Sequence, residues 1–151
     1  MRGRIFLIAV ALTCVVDAAV LRAGENKSTA TYLGGTVGLF SGTGGMLSTE
    51  AEDLLFKPLS QAVTLQISFK AITAIEYGPQ PGQRVPAVVI VSKKRGQYLT
   101  VNWMNDSGKE QSTVFELSKE IVGSTLAGLE AKTGKSIQYQ NEEARHAGGS
   151  R

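Results

Sequence analysis

From residue 31 to residue 117 the apolar residues come in short runs, each stopped within a few positions by glycine, proline or an Asx turn. That spacing leaves no room for a long helix and points to a chain of strands and hairpins. Val63, Leu65 and Ile67 alternate with Thr64, Gln66 and Ser68, the period of a strand with one wet face. Leu99, Val101 and Trp103 share one face of a second such strand, and Tyr98, Thr100, Asn102 and Met104 share the other. Thr113, Phe115 and Leu117 line one side of a third. Strands are expected over 31–37, 45–48, 54–57, 63–68, 72–77, 87–92, 97–105 and 111–117, with Pro58 ending the third. The 87–92 run, AVVIVS, is apolar throughout and reads as a strand buried on both faces. Gly78-Pro79-Gln80-Pro81-Gly82 is a loop, because its prolines deny ladder donors and its glycines permit positive φ. Asp106-Ser107-Gly108-Lys109 is a hairpin turn.

After residue 117 the period changes. Ile121, Val122, Thr125, Leu126 and Leu129 fall on one helical face, so a helix is expected over 118–133 with Ser118 as its N-cap. Gly134 suits a left-handed C-cap, and Lys132 and Lys135 suit the negative end of the dipole. Residues 136–151 form a polar tail, frayed from residue 140.

The first 23 residues have a different design. Met1-Arg2-Gly3-Arg4 is a positive start, and the twelve residues from Ile5 to Val16 are apolar. Small residues that suit cleavage follow, at Ala18 and Ala23. This is the three-part pattern of an export signal, and as a helix its apolar run is too short for a hydrocarbon core of about 30 Å. The expected product is periplasmic or secreted, with 24–30 as a flexible arm; the alternative is a membrane anchor left by an uncleaved signal. Cys14 follows Thr13, not the small residue that a lipoprotein signal requires.

Composition narrows the chemistry. The single cysteine falls inside the signal, so the processed chain has neither a disulfide nor a thiol nucleophile. Of 16 basic and 13 acidic residues, Arg2, Arg4, Arg22 and Asp17 precede residue 24, which leaves 13 against 12, a net charge of +1. The basicity of the whole chain, +3, is therefore largely an export feature.

Several strands followed by one amphipathic helix is also the order of a pleckstrin-homology (PH)-like barrel of about seven antiparallel strands plugged by one C-terminal helix. Ile67–Gly78 (ISFKAITAIEYG), Tyr98-Leu99-Thr100-Val101 and Val114-Phe115-Glu116-Leu117, followed by Leu129-Glu130-Ala131, resemble the PH-like and GRAM-like domains of bacteria. With Tyr32-x-Gly34-Gly35-Thr36-Val37, Gly42-Thr43-x-Gly45-x-Leu47 and Thr133-Gly134-Lys135, the chain is similar to a group of small exported bacterial proteins. The resemblance covers about residues 31–143. It implies a mainly β, PH-like domain over 31–135, and it brings no active site with it.

Each local cluster has a functional and a structural reading. Gly34, Gly35, Gly38, Gly42, Gly44 and Gly45 lie within twelve residues, but no lysine or helix follows as a phosphate loop requires. They read as a hairpin that turns a barrel corner. Lys93, Lys94 and Arg95 form a basic turn that, with Arg84, could meet anionic lipid or another polyanion, and Lys57 and Lys70 are further cations. At about 1 kcal/mol per charge such a turn binds weakly, and it also reads as a solvated tip protecting edge strands. Aromatics do not interleave with a basic stripe, so nucleic acid is not expected as a partner. Glu50, Glu52, Asp53 and Glu76 are the carboxylates open to hydrolase chemistry, yet no pair of them is set across a cleft by spacing. His146 falls in the polar tail. The composite expectation is a non-catalytic interaction module of the cell envelope, without metal or cofactor. It would bind a protein through an edge strand or through loops at one barrel end.

Overall fold

The structure is a computed structural model, and it describes residues 29–82 and 96–149. The segment read as an export signal, nearly all of the expected 24–30 arm, the 87–92 run and the basic turn with Arg84 lie outside the described residues. The fold is mainly β. Strands β1 (Ala30–Gly35), β2 (Thr43–Ser48), β3 (Asp53–Pro58) and β4 (Leu65–Ser68) form an antiparallel meander. A single 3-10 turn, Phe69–Ala71, leads into a second meander, β5 (Ile72–Gly78), β6 (Tyr98–Met104) and β7 (Glu110–Leu117). β1 pairs with β7 and fuses the two meanders. A two-residue strand, β8 (Gln138–Tyr139), adds to β5 in parallel, giving the order β4-β3-β2-β1-β7-β6-β5-β8.

The barrel expectation needs correction. Among the described residues no ladder joins β4 to β5 or β8, so the sheet is open. It is nevertheless strongly curled. β4 and β5 stand six strands apart in the order, about 29 Å in a flat sheet. The single 3-10 turn that connects them spans at most about 15 Å. The two ends of the sheet must therefore bend toward each other. The concave side encloses the core, in which Tyr32, Phe56, Ile75, Leu99, Val101 and Phe115 are almost completely buried.

A bulge in β1 between Tyr32 and Gly34 bends the strand where it meets β7. Gly35, at φ 145°, lets the backbones close: a Cβ there would overlap the Ser112 carbonyl. The glycine cluster is thus a bending device that opens into a strand. The 106–109 turn also forms as its sequence dictates. The Asn105 carboxamide accepts from the N–H groups of Ser107 (3.0 Å) and Lys109 (2.9 Å), and Gly108 takes φ 72°.

Helix α1 (Val122–Thr133) buries Val122, Thr125, Leu126 and Leu129 against the core, the i, i+3, i+4, i+7 stripe. Gly134 is its left-handed cap at φ 68°, donating its N–H to Glu130. Its start differs from expectation. The Ser118 N–H donates to the Thr29 carbonyl at 2.9 Å, which extends the β1–β7 ladder by one bond, and Ile121 occupies the N-cap position. Over its described residues the tail is structured, not frayed. β8 is followed by α2 (Glu142–Ala147), where the Asn141 carboxamide accepts from the Ala144 N–H at 2.7 Å and Ala144 is wholly buried. Asn141 as cap, with Glu142 and Glu143 in the first turn, is a helix start legible in the sequence. Val63 is a further correction: it precedes β4 and is 61% exposed.

Candidate functional site

The best sequence-based binding candidates, Lys93, Lys94, Arg95 and Arg84, lie outside the described residues. Lys57 and Lys70 are described and exposed, but they do not converge. Lys57 is near the end of β3, whereas Lys70 follows Ser68, the partner of Asp53 at the start of β3. About 13 Å of strand separates those positions. Glu50 and Glu52 are exposed in the β2–β3 turn, and Asp53 is engaged by the Gln66 carboxamide. Glu76 stands on another strand, opposite Thr100. Among the described residues no three His, Cys, Asp or Glu side chains are grouped to hold a metal ion. His146 is exposed on α2.

The outer face of β6 and β7 is buried as well as the inner one. Tyr98 packs with Leu33 and Val114 in a satellite cluster, while Thr100, Asn102 and Ser112 form a polar strip beside it. The Gly82 N–H donates to the Thr100 hydroxyl at 2.9 Å, and Gly96 lies against Tyr98 and Glu116. The described ends of the β5–β6 connection thus rest on this face. Both polar atoms of the Asn102 carboxamide, and the Ser112 hydroxyl, are buried without a hydrogen-bond partner among the described residues. Trp103 faces the core.

A shallow depression of about 210 Å³ opens where β1 begins and β7 ends, lined by Thr29, Ala30, Thr31, Glu116, Leu117 and Ser118. The Thr29 hydroxyl already accepts from the Leu47 N–H at 3.1 Å. The lining places the Glu116 carboxylate on the strand opposite Thr31, with Thr29 and Ser118 alongside, so it offers hydrogen-bonding groups.

The most distinctive surface lies where the β1–β2 and β3–β4 loops adjoin. Phe40 is 77% exposed, and Leu59 and Val63 are each at least half exposed. The two loops are neighbours: the Leu59 N–H donates to Gly44 (3.0 Å), and the Phe40 carbonyl accepts from the Thr43 hydroxyl (2.6 Å). Residues 36–42 and 59–64 contain no charge. Phe40 is also held on a braced loop. The Gly42 N–H donates to the Tyr32 carbonyl at 2.8 Å, the Tyr32 hydroxyl to Val37 at 3.0 Å, and the Ser41 hydroxyl to Leu33. Sequence reasoning passed over this patch because Phe40 sits in a turn-rich segment and Val63 shares the alternation of β4. The available signal was the lack of charge across both loops. No protein-family model matches the chain, and a search of curated proteins finds no significant relative.

Proposed function

We propose that this protein is an exported, non-catalytic interaction module of the cell envelope, PH-like in architecture, that binds another protein through the paired hairpin loops carrying Phe40, Leu59 and Val63. One observation carries the reading: a large aromatic side chain is 77% exposed on a loop whose backbone is hydrogen-bonded in place. An aromatic anchor on a rigid loop loses little conformational entropy on binding, the usual character of an interface hot spot. The two meanders fused through β1 and β7, with α1 packed on the core, support the PH-like reading. The basic start and apolar run before residue 24 support export.

The test is recovery of the protein and its partners from its native envelope. The expected species begins at Gly24. One partner is expected to co-purify with the wild type and to fall at least tenfold with Phe40→Ser or Val63→Asp. Equal recovery with both variants would remove the hairpin loops from the interface. Binding to anionic vesicles that vanishes in a Lys93/Lys94/Arg95→Ala variant would replace this reading with the lipid alternative.

A further inference from the structure

The two ends of the open sheet are finished differently. At one end β8 covers β5, and the Gln140 side chain completes the closure, accepting from the Gln80 N–H (3.0 Å) and donating to the Gln80 carbonyl (2.9 Å). At the other end β4 pairs only with β3, and its second edge has no ladder partner among the described residues. Proteins normally protect such an edge by keeping it short, as the four residues of β4 are, and with a charge, a proline, a bulge or a covering segment. Here the residues from Leu59 to Phe69 carry no charge, and Val63 to Ser68 contain neither glycine nor proline. Thr64, Gln66 and Ser68 are exposed.

We infer that this edge pairs antiparallel with the same edge of a second copy of the chain, joining two eight-stranded sheets into one. The symmetry of the strand favours a copy of itself. Identical strands can be related antiparallel only by a two-fold axis perpendicular to the sheet, and that operation keeps every side chain on its own face. With the axis at Leu65, Val63 meets Ile67, Thr64 meets Gln66 and Leu65 meets itself. With the axis at Gln66, Leu65 meets Ile67 and Thr64 meets Ser68. In both registers apolar residues oppose apolar and polar oppose polar, and no like charges are brought together. Val63, 61% exposed in the single chain, would be covered in the first. The inference rests on the β4 edge and shares only Val63 with the hairpin-loop surface; Gln66→Lys leaves Phe40, Leu59 and Val63 in place, so its outcome is read separately from that surface.

Cysteine cross-linking in the producing cell tests it on the full chain. In a Cys14→Ser background, single cysteines are placed at Val63, Thr64, Leu65, Gln66 and Ser68, with Lys57→Cys on β3 as control. A disulfide dimer is expected to peak at Leu65 or Gln66 and to fall to the Lys57 level away from it. Gln66→Lys, an exposed substitution that natural edge strands tolerate, should weaken the dimer at least tenfold by light scattering without changing the circular dichroism. A monomeric mass at high concentration, cross-linking no stronger than at Lys57, or a dimer indifferent to Gln66→Lys would overturn the inference. A single heavier adduct that is not twice the chain mass would overturn it too, by showing that the edge takes a strand from a different protein.

Discussion

Asn102 and Ser112 face each other across the β6–β7 ladder, both buried, and neither side chain has a hydrogen-bond partner among the described residues. The strip therefore holds polar groups stripped of water without compensation. Asn102→Asp places an unpaired charge there, on a face that also carries Glu76 and Glu116, and should cost about 3 kcal/mol at pH 7. Protonation should recover part of that loss near pH 4, because burial raises the carboxyl's pKa. Urea unfolding at the two pH values checks both the size and the sign.

Thr113, opposite Val101 on the core side, also buries a hydroxyl with no partner among the described residues. Thr113→Val keeps the shape and removes the orphan, so stability should rise by about 1 kcal/mol. A loss in the urea midpoint would mean that the hydroxyl has a partner.

The core has an aromatic centre. The Phe115 ring meets Tyr32 edge-on at 5.9 Å and Phe56 at 5.0 Å, and it is fully buried. Phe115→Ala should cost about 3–5 kcal/mol, most of it from the cavity it leaves. Tyr32→Phe should cost only about 1 kcal/mol, the bond from its hydroxyl to Val37. Chemical denaturation of the two variants separates packing from hydrogen bonding at one site.

Gly35 and Gly38 make a matched pair. A Cβ at Gly35 collides with the β7 backbone at a φ that side chains avoid, whereas a Cβ at Gly38 meets nothing within 4 Å. Gly35→Ala should lose about 2 kcal/mol or more, and Gly38→Ala should change stability by about 0.5 kcal/mol at most. Thermal unfolding of both distinguishes a required close approach from mere glycine richness.

Burial pushes the Tyr32 and Tyr77 hydroxyls up to about 12, from 10.0 in an exposed tyrosine. Burial foremost, and then the nearby Glu130 carboxylate, also raises Tyr139. Between pH 10 and 12 the unfolded chain has released these protons while the folded chain keeps them. The stabilisation is therefore complete below pH 10 and is lost as pH climbs to about 12. Tyrosinate absorbance is expected to lag at pH 11 and then rise together with loss of the far-ultraviolet signal. Titration of Tyr32 and Tyr77 near pH 10 with the fold intact would contradict this.

Local chemistry made much of the fold legible in advance. The alternation of Leu99, Val101 and Trp103 placed β6, Asp106-Ser107-Gly108-Lys109 marked a hairpin, and Gly134 marked a helix end, because each depends on residues within a turn or two. The candidate site was not legible in that way. The loops that carry Phe40 and Leu59 come to the same end of the sheet only when β2 pairs with β3, so no spacing in the chain announces their patch.

The sequence alone determined about where most of the described strands lie, which β6 residues share a face, and that the chain carries one cysteine and one histidine. Only the tertiary structure decided that the sheet stays open, that the second face of β6 is buried too, and that Ser118 extends a ladder in place of capping a helix. It also decided that residues 138–147 fold back onto β5 and the core. The reason is the range of the interactions. A turn or a cap is set by its own few residues, whereas the contacts of Thr29 with Ser118, or of Gly35 with Ser112, join positions more than 70 residues apart. Their partners exist only once the chain has closed upon itself.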